Sequence, residues 1–364
     1  MPRTDIALCY GTRPQVIKAS VLRRELARVG PVLAVDTGQH YDYELNALLY
    51  EQLGVHLPDI ALEVGSASHG EQTGAILVGS EVVFKEHRPS AVVVIGDTNS
   101  TLGCALAAGK LRIPVVHVEA GLRSKDPLMA EEINRRVVDS FASVLCTPSA
   151  RATARVEAER CDGVIHQTGD VAYDVLCAHT GTLPRPEEVV GALAGKSYCF
   201  ATLHRAELTD RPAVLCDVLN ALAALDQTVI LALHPRTRAV LDAHAPRAQF
   251  GGRLNILPPV GYLESLALTR GAAAVVTDSG GLQREAYWLG VPCVTLRRET
   301  EWLETVELGA NTTVDPARAK TELGPAVRAQ LQRWPQGGGW DRGMYGHGDA
   351  ASRVADTVET LLSS

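Results

Sequence analysis

The chain has 364 residues, 46% hydrophobic and 21% charged, which is enough for two domains of ordinary size with substantial cores. Its 35 basic and 42 acidic residues leave a net charge of -7 without long runs, which argues against a nucleic-acid footprint or a polybasic membrane patch. No apolar run approaches the roughly 18 residues that span a bilayer, and Ile6–Tyr10 is too short for a signal-peptide core, so a cytoplasmic protein is expected.

Short β-rich runs alternate with longer helical patterns along the chain. Asp5–Tyr10, Val32–Asp36, Ala91–Gly96, Pro114–Val118, Ser143–Thr147 and Val164–Thr168 are six candidate strands of a doubly wound parallel sheet. The prolines and glycine of Thr180–Glu188 interrupt the pattern. It restarts with Tyr198–Leu203, Thr228–Leu233, Leu254–Leu257, Ala272–Thr277, Pro292–Leu296 and Asn311–Val314. We therefore expect two Rossmann-like α/β domains, 1–178 and 179–345, with a ligand cleft between them, and a last amphipathic helix within 346–364 that packs back on the first domain. Cys9, Cys104, Cys146, Cys161, Cys177, Cys199, Cys216 and Cys293 are scattered without a CxxC pair and read as buried small hydrophobes, not as a zinc site or a disulfide framework.

GTRPQVIK, from Gly11, follows the first strand; Pro14 suits a helix start, and Arg13 and Lys18 bring positive charge or are solvated surface residues. Asp97 and Glu119 end two apolar runs, so if those strands are parallel neighbours both carboxylates emerge on the carboxyl edge of one sheet, where open α/β sheets bind ligands. Glu131 lies in a first helical turn with Arg135 four residues on, as an acid for catalysis or as a surface ion pair.

In the second half, GALAGKS, from Gly191, has the wrong glycine spacing for a phosphate loop and precedes a strand; GHGDAA, from Gly346, follows no strand. A nicotinamide fingerprint is thus unsupported. His204 and Arg205 close a strand, where His204 is either a hydrogen-bonded structural residue or a group that meets a departing phosphate. TDSGGLQREA, from Thr277, ends another and opens a helix. Ser279, Gly280 and Gly281 can turn N–H groups toward a phosphate, with Glu285 one turn in for ribose hydroxyls. The alternative is an ordinary helix cap with closely packed glycines.

Read in order, GTRPQVIK, TGQH, GDTNST, HVEAGLRS, EEINR, TLHRAE, LHPRT, TDSGGLQREA and TEWLET resemble the non-hydrolysing UDP-N-acetylglucosamine 2-epimerases over nearly the whole chain. The resemblance implies a GT-B fold, a homodimer, no cofactor or metal, and interconversion of UDP-GlcNAc and UDP-ManNAc. It implies anti elimination of UDP to a 2-acetamidoglucal, followed by re-addition. It places UDP on Ser279, Gly280, Gly281 and Glu285, and substrate binding or catalysis on Arg13, Lys18, Asp97, Glu119, Glu131 and His204.

The chain departs from the family pattern at several points. Gln15 stands where many members have Glu, Ala130 where Pro is usual, Trp302 where some bacterial members place a substrate-contacting Arg, and His347 within the usual YGDG. Glu71 precedes Gln72-Thr73 where regulated members use an Arg for a second substrate molecule. Gln15 with the IKAS and TEWLET strings also resembles relatives acting on UDP-2,3-diacetamido-glucuronic acid, so the C3 and C6 substituents stay open. The other readings are a hydrolysing relative, a GT-B glycosyltransferase, which has no need of acids on both faces of C2, and an inactive nucleotide-sugar sensor. Cell-envelope polysaccharide and secondary-metabolite sugar supply are the two pathways such an activity would serve, and the sequence leaves the choice open.

Overall fold

Residues 6–39, 50, 53, 54, 56–195, 197–244, 253–335 and 337–363 are described by a computed structural model. His40 of TGQH and Lys196 of GALAGKS lie outside the described residues. The chain divides into two units: Met1–Ala178 with Gly343–Ser364, and His179–Arg342.

The first unit is built on parallel strands β1 (Ile6–Tyr10), β2 (Val32–Asp36), β3 (Ile60–Ala61), β4 (Ala91–Ile95), β5 (Val115–Val118), β6 (Val144–Thr147) and β7 (Val164–Gln167). Their order is β3-β2-β1-β4-β5-β6-β7. β1 and β4 are buried at every position, and this is why they read as unbroken apolar runs without alternation. Ala7, Cys9, Val92 and Val94 enter one cluster with Ile76 and Cys104; Ile6, Leu8, Val93 and Ile95, on the alternate positions, are equally buried. β3 is the one strand here that the sequence reading did not find. Only Ile60 and Ala61 pair with β2, too short a stretch for any periodicity.

The helix Ala350–Ser363 packs on the helix Arg13–Leu26, so the chain's last element belongs to the first unit. Asp174 fixes its start by accepting the N–H groups of Ala350 and Ala351 at 3.1 and 2.7 Å.

In the second unit β8 (Tyr198–Leu203), β9 (Thr228–Leu233), β10 (Leu254–Leu257), β11 (Ala274–Thr277), β12 (Cys293–Thr295) and β13 (Asn311–Thr313) are parallel in the order β10-β9-β8-β11-β12-β13.

In each sheet the chain winds outward in one direction, then returns and winds in the other. The reversal falls between β1 and β4 in the first unit and between β8 and β11 in the second. At such a switch point the connections leaving two neighbouring strands diverge to opposite faces and open a crevice at the carboxyl edge. The segments Gly11–Lys18 and Gly96–Asn99 leave β1 and β4, and His204-Arg205 and Asp278–Gly281 leave β8 and β11. Topology therefore delivers most of the chemically suspect residues to the two switch points.

Among the described residues no helix is long and apolar enough to cross a membrane. One cysteine expectation is corrected: Cys177, on the helix Val171–His179, is exposed, while Cys161 and Cys216 are half-buried. Helical phase, not residue type, puts Cys177 outside. All eight cysteines are free.

Candidate active site

The switch point of the first unit is organised by Gln15. Its Oε1 accepts the N–H groups of Gly11 and Thr12 at 2.9 and 3.1 Å, while Nε2 donates to the carbonyl of Ile95 at 2.6 Å and to Thr98 Oγ1 at 2.9 Å. An amide accepts from two N–H groups and donates to a carbonyl at once; an ionised carboxylate in the same place would face the Ile95 carbonyl with lone pair against lone pair. Gln15 thereby ties the end of β1 to the end of β4. Gly11 is required beside it, because a Cβ there would stand 1.9 Å from Thr37 Oγ1.

Asp97 and Glu119 leave neighbouring strands, as the β4–β5 register Ile95↔Val118 requires. Lys18 pairs with Glu119, both side chains being at most 10% exposed. Glu119 is held with φ +73, in the left-handed region, by N–H bonds from itself and Ala120 to the Cys146 carbonyl at 3.0 and 3.1 Å. A non-glycine residue in that conformation costs on the order of 1 kcal/mol, and such strain collects where a side chain must be aimed. Asp97 pairs with Arg135, and its carbonyl accepts Asn134 Nδ2 at 2.9 Å. Arg13 opens the helix Arg13–Leu26 in a half-buried position.

Glu131 is half-buried in the first turn of the helix Ala130–Phe141. Its neighbour Glu132, fully buried, accepts from the Ser124 N–H at 2.8 Å, Arg136 Nε at 2.8 Å and Arg135 Nη1 at 3.3 Å. Arg135 is thus oriented by Glu132 toward Asp97. The sequence reading chose the first glutamate of the pair and missed the role of the second. It also passed over the interior of β5. There His117, fully buried, is 2.6 Å from Asp139 Oδ1 through Nδ1 and 2.7 Å from the Gly96 carbonyl through Nε2.

One family departure has a local explanation. Glu71 closes a capping box with Ser68, whose hydroxyl donates to it at 2.7 Å, at the start of the helix His69–His87. The adjacent Gln72 is buried and donates to the carbonyls of Gln39 and Gly65 at 3.1 and 2.7 Å.

At the switch point of the second unit the organiser is Asp278, 1% exposed, another residue the sequence reading did not single out. Its Oδ2 accepts the backbone N–H groups of both His204 and Arg205 at 2.8 Å. Its Oδ1, with no hydrogen-bond partner among the described residues, faces His204 Nδ1 at 3.4 Å. Ser279 is the N-cap of the helix Gly280–Leu289. Its Oγ accepts from the Leu282 N–H at 3.2 Å, and its own N–H goes to Thr277 Oγ1 at 2.9 Å. Gly280 and Gly281 then carry first-turn N–H groups, which have no acceptor within a helix and suit an anion.

Arg205 Nη2 and Trp302 Nε1 lie 3.7 and 3.9 Å from where a Cβ on Gly280 would stand, so both crowd this turn. Trp302, 4% exposed, is stacked under the Arg284 guanidinium at 4.0 Å. Its segment is braced by the enclosed pair Arg297–Glu301, bonded at 2.9 and 3.1 Å, and by Thr300 Oγ1 donating to Gln283 at 2.7 Å. Glu285 lies half-buried one turn further along the helix.

The first unit therefore joins Lys18 to Glu119 and Arg135 to Asp97 in direct pairs, with Glu131 next in sequence to the Glu132 that orients Arg135; the second gathers His204, Arg205, Ser279 and Gly280. Chemically the first group offers carboxylates set beside cations and the second a helix start with an imidazole and a guanidinium. Proton transfer suits one set, an anionic leaving group the other.

A family model described as UDP-N-acetylglucosamine 2-epimerase matches residues 28–359. The chain is 39% identical to the UDP-2,3-diacetamido-2,3-dideoxy-D-glucuronate 2-epimerase of Pseudomonas aeruginosa, over 98% of its own length and 99% of the relative's. To the UDP-N-acetylglucosamine 2-epimerase of Methanocaldococcus jannaschii it is 36% identical, over 96% of its length and 97% of the relative's. A crystal structure of the Methanocaldococcus jannaschii enzyme in complex with UDP-GlcNAc and UDP matches the fold with a TM-score of 0.88 over 98% of this chain and 99% of that one.

Proposed function

Because the chain belongs to the UDP-N-acetylglucosamine 2-epimerase family, isomerases with the GT-B fold, we propose that it interconverts UDP-GlcNAc and UDP-ManNAc by elimination and re-addition of UDP. The observation that carries this reading is the pair of carboxylates Asp97 and Glu119, which leave the neighbouring strands β4 and β5 and are set against Arg135 and Lys18.

The C2 hydrogen is not adjacent to a carbonyl, so it becomes acidic only as the bond from C1 to the UDP oxygen lengthens and C1 gains cationic character. One carboxylate takes the C2 proton, the C–H electron pair becomes the C1–C2 double bond, and UDP leaves with the electrons of the C1–O bond. A second carboxylate then protonates the opposite face of C2 while UDP returns to C1. No step of this route transfers a hydride, so it calls for no nicotinamide, and its acid and base come from side chains. Asp97, Glu119 and Glu131 divide the two proton roles. His204 and Arg13 stabilise the departing UDP, and Arg205, Ser279, Gly280, Gly281 and Glu285 hold it, with Ser279 acting through its cap and the two glycines through their N–H groups.

A second substrate reading has its own support. The Pseudomonas aeruginosa relative carries the name of an epimerase for the 2,3-diacetamido-glucuronate, and Gln15 with the IKAS and TEWLET strings resembles that group. We further place the protein in the cytoplasm as a homodimer. The helix His69–His87 turns Val78 and Val82, 62% and 60% exposed, outward one turn apart, a stripe a second copy would cover.

The test is deuterium exchange at C2 in D2O, followed by NMR, with UDP-GlcNAc and with UDP-2,3-diacetamido-glucuronate and no other additive. Exchange with appearance of the C2 epimer is expected for one of them. Absence of exchange with both overturns the epimerase reading, and UDP binding without exchange leaves the sensor.

A further inference from the structure

We propose that His117 is held as a permanent imidazolium in the core of the first unit, where it fixes the Gly96 carbonyl and so positions the neighbouring Asp97 for proton transfer. The second half of this inference rests on the function proposed above; the first half does not.

The geometry leaves little freedom to the ring. Nε2 is 2.7 Å from the Gly96 carbonyl, an oxygen that can only accept, so Nε2 carries a proton. Nδ1 is 2.6 Å from Asp139 Oδ1. Were Nδ1 bare, that contact would need a protonated Asp139. Yet the other oxygen of Asp139 already accepts from the Gly121 N–H at 3.1 Å and from Arg123 Nη1 at 2.7 Å. A carboxylate taking a backbone N–H and a guanidinium is ionised, so the remaining proton sits on Nδ1 as well.

The charges around the ring agree. Facing His117 are Asp139 from the helix Ala130–Phe141, the Gly96 carbonyl beyond β4, and Arg123 from the segment after β5. The strand neighbours in register, Val94 and Leu145, carry no charge. Arg123 is in turn neutralised by Glu159, at 3.0 Å from its Nε. Burial pushes the imidazolium toward losing its proton, but the Asp139 charge and hydrogen bond together with the Gly96 carbonyl outweigh it, and the ring is held above its ordinary range; Asp139 is correspondingly held below its own.

The cation also sits where its mechanical effect counts. Gly96, at φ +69, is the residue on which β4 turns out into Asp97, and the Glu119 carboxylate lies 3.4 Å from where a Cβ on Gly96 would stand. The clamp on this one carbonyl therefore fixes the backbone beneath both carboxylates. His117 touches neither and is a positioning residue.

The test has two arms. In the first, the free protein is labelled with 15N-histidine, and His117 is assigned by comparison with His117→Asn. Two ring N–H protons and imidazolium nitrogen shifts are expected across about pH 6 to about pH 8, the range in which an ordinary histidine loses its proton. A neutral ring at pH 7 overturns the proposal. In the second arm, Asp139→Asn removes the carboxylate. Its kcat for C2 exchange is expected to fall about 100-fold, as a small displacement of a reacting group allows, with KM little changed. The kcat profile is also expected to acquire a new loss toward alkaline pH as the ring, without its counter-charge, gives up its proton. A purely structural role would lower stability without that new limb, so a profile of unchanged shape overturns the positioning claim. If wild type exchanges neither sugar, the proposed function fails and the NMR arm still decides the charge of His117.

Discussion

Lys18 and Glu119 form an ion pair in which both side chains are at most 10% exposed, and Glu119 enters it from a strained backbone at φ +73. Arg88 and Arg160, also at positive φ, merely close helices, a common use of the left-handed region. Glu119 closes none. Its strain aims a carboxylate at a lysine on the helix that follows β1, across the intervening β4.

Replacing Glu119 by Gln should lower the rate of C2 exchange by two orders of magnitude or more. UDP affinity, attributed to the second unit, should hold within about twofold, and deuterium NMR with calorimetry on UDP checks both. Lys18→Met, which leaves Glu119 enclosed without its counter-charge, should destabilise the protein by about 3 to 5 kcal/mol in denaturant unfolding.

Arg135 bridges Asp97 and Glu132, and no lysine can reproduce a planar guanidinium on two carboxylates. Arg135→Lys is expected to cut kcat about tenfold to 100-fold with little change in UDP affinity. Wild-type kcat in this variant would reject the link between Asp97 and turnover.

Asp278 uses one oxygen for two N–H groups and points the other at His204. Asp278→Asn keeps an acceptor for the amides but turns an NH2 toward the imidazole. UDP binding should weaken about tenfold, the loss of roughly one good hydrogen bond, with an unchanged far-ultraviolet circular dichroism spectrum. Undiminished UDP affinity would remove Asp278 from the site.

Asp174 supplies a pH signature in the anchoring of the last helix. Burial, opposed by the N–H groups of Ala351 and Ala350, raises its carboxyl to about 6. A carboxyl raised on folding favours the native state in its protonated form. Its contribution is full below the ordinary value near 4 and is lost as pH rises through about 6. Unfolding midpoints of wild type and Asp174→Asn, compared from pH 4 to pH 7, should diverge over that interval, and parallel curves would rule out the assignment.

Strand ends were legible in the sequence because the apolar runs at Ile95, Val118, Leu203 and Thr277 give way to charged or polar residues, which a buried parallel strand holds only where a partner meets them, as Asp139 meets His117. Glu132 was not. In the helix Ala130–Phe141 the inward positions include Glu132, Asn134, Arg135 and Asp139, so the usual rule that the buried face is the apolar one runs backwards there. Asp278 was hidden in another way: an acid before a Ser cap looks like helix-end chemistry, and its bonds go to residues more than seventy positions earlier. The charge of His117 depends on Asp139, 22 residues away, which no local pattern connects to it.

The path of the chain also orders its assembly in time. The segment His179–Arg342 is continuous and can complete its sheet once it has cleared the ribosome, whereas the unit that precedes it, Met1–Ala178, lacks the helix Ala350–Ser363 until the whole of that segment has been made. Until then Asp174 has no Ala350 and Ala351 amides to accept, and the face of Arg13–Leu26 that the last helix covers is open to water. The unit that carries the carboxylates is interrupted by the other, so a nascent chain cut short before Ala350 carries the carboxylates on a domain whose outer wall is missing.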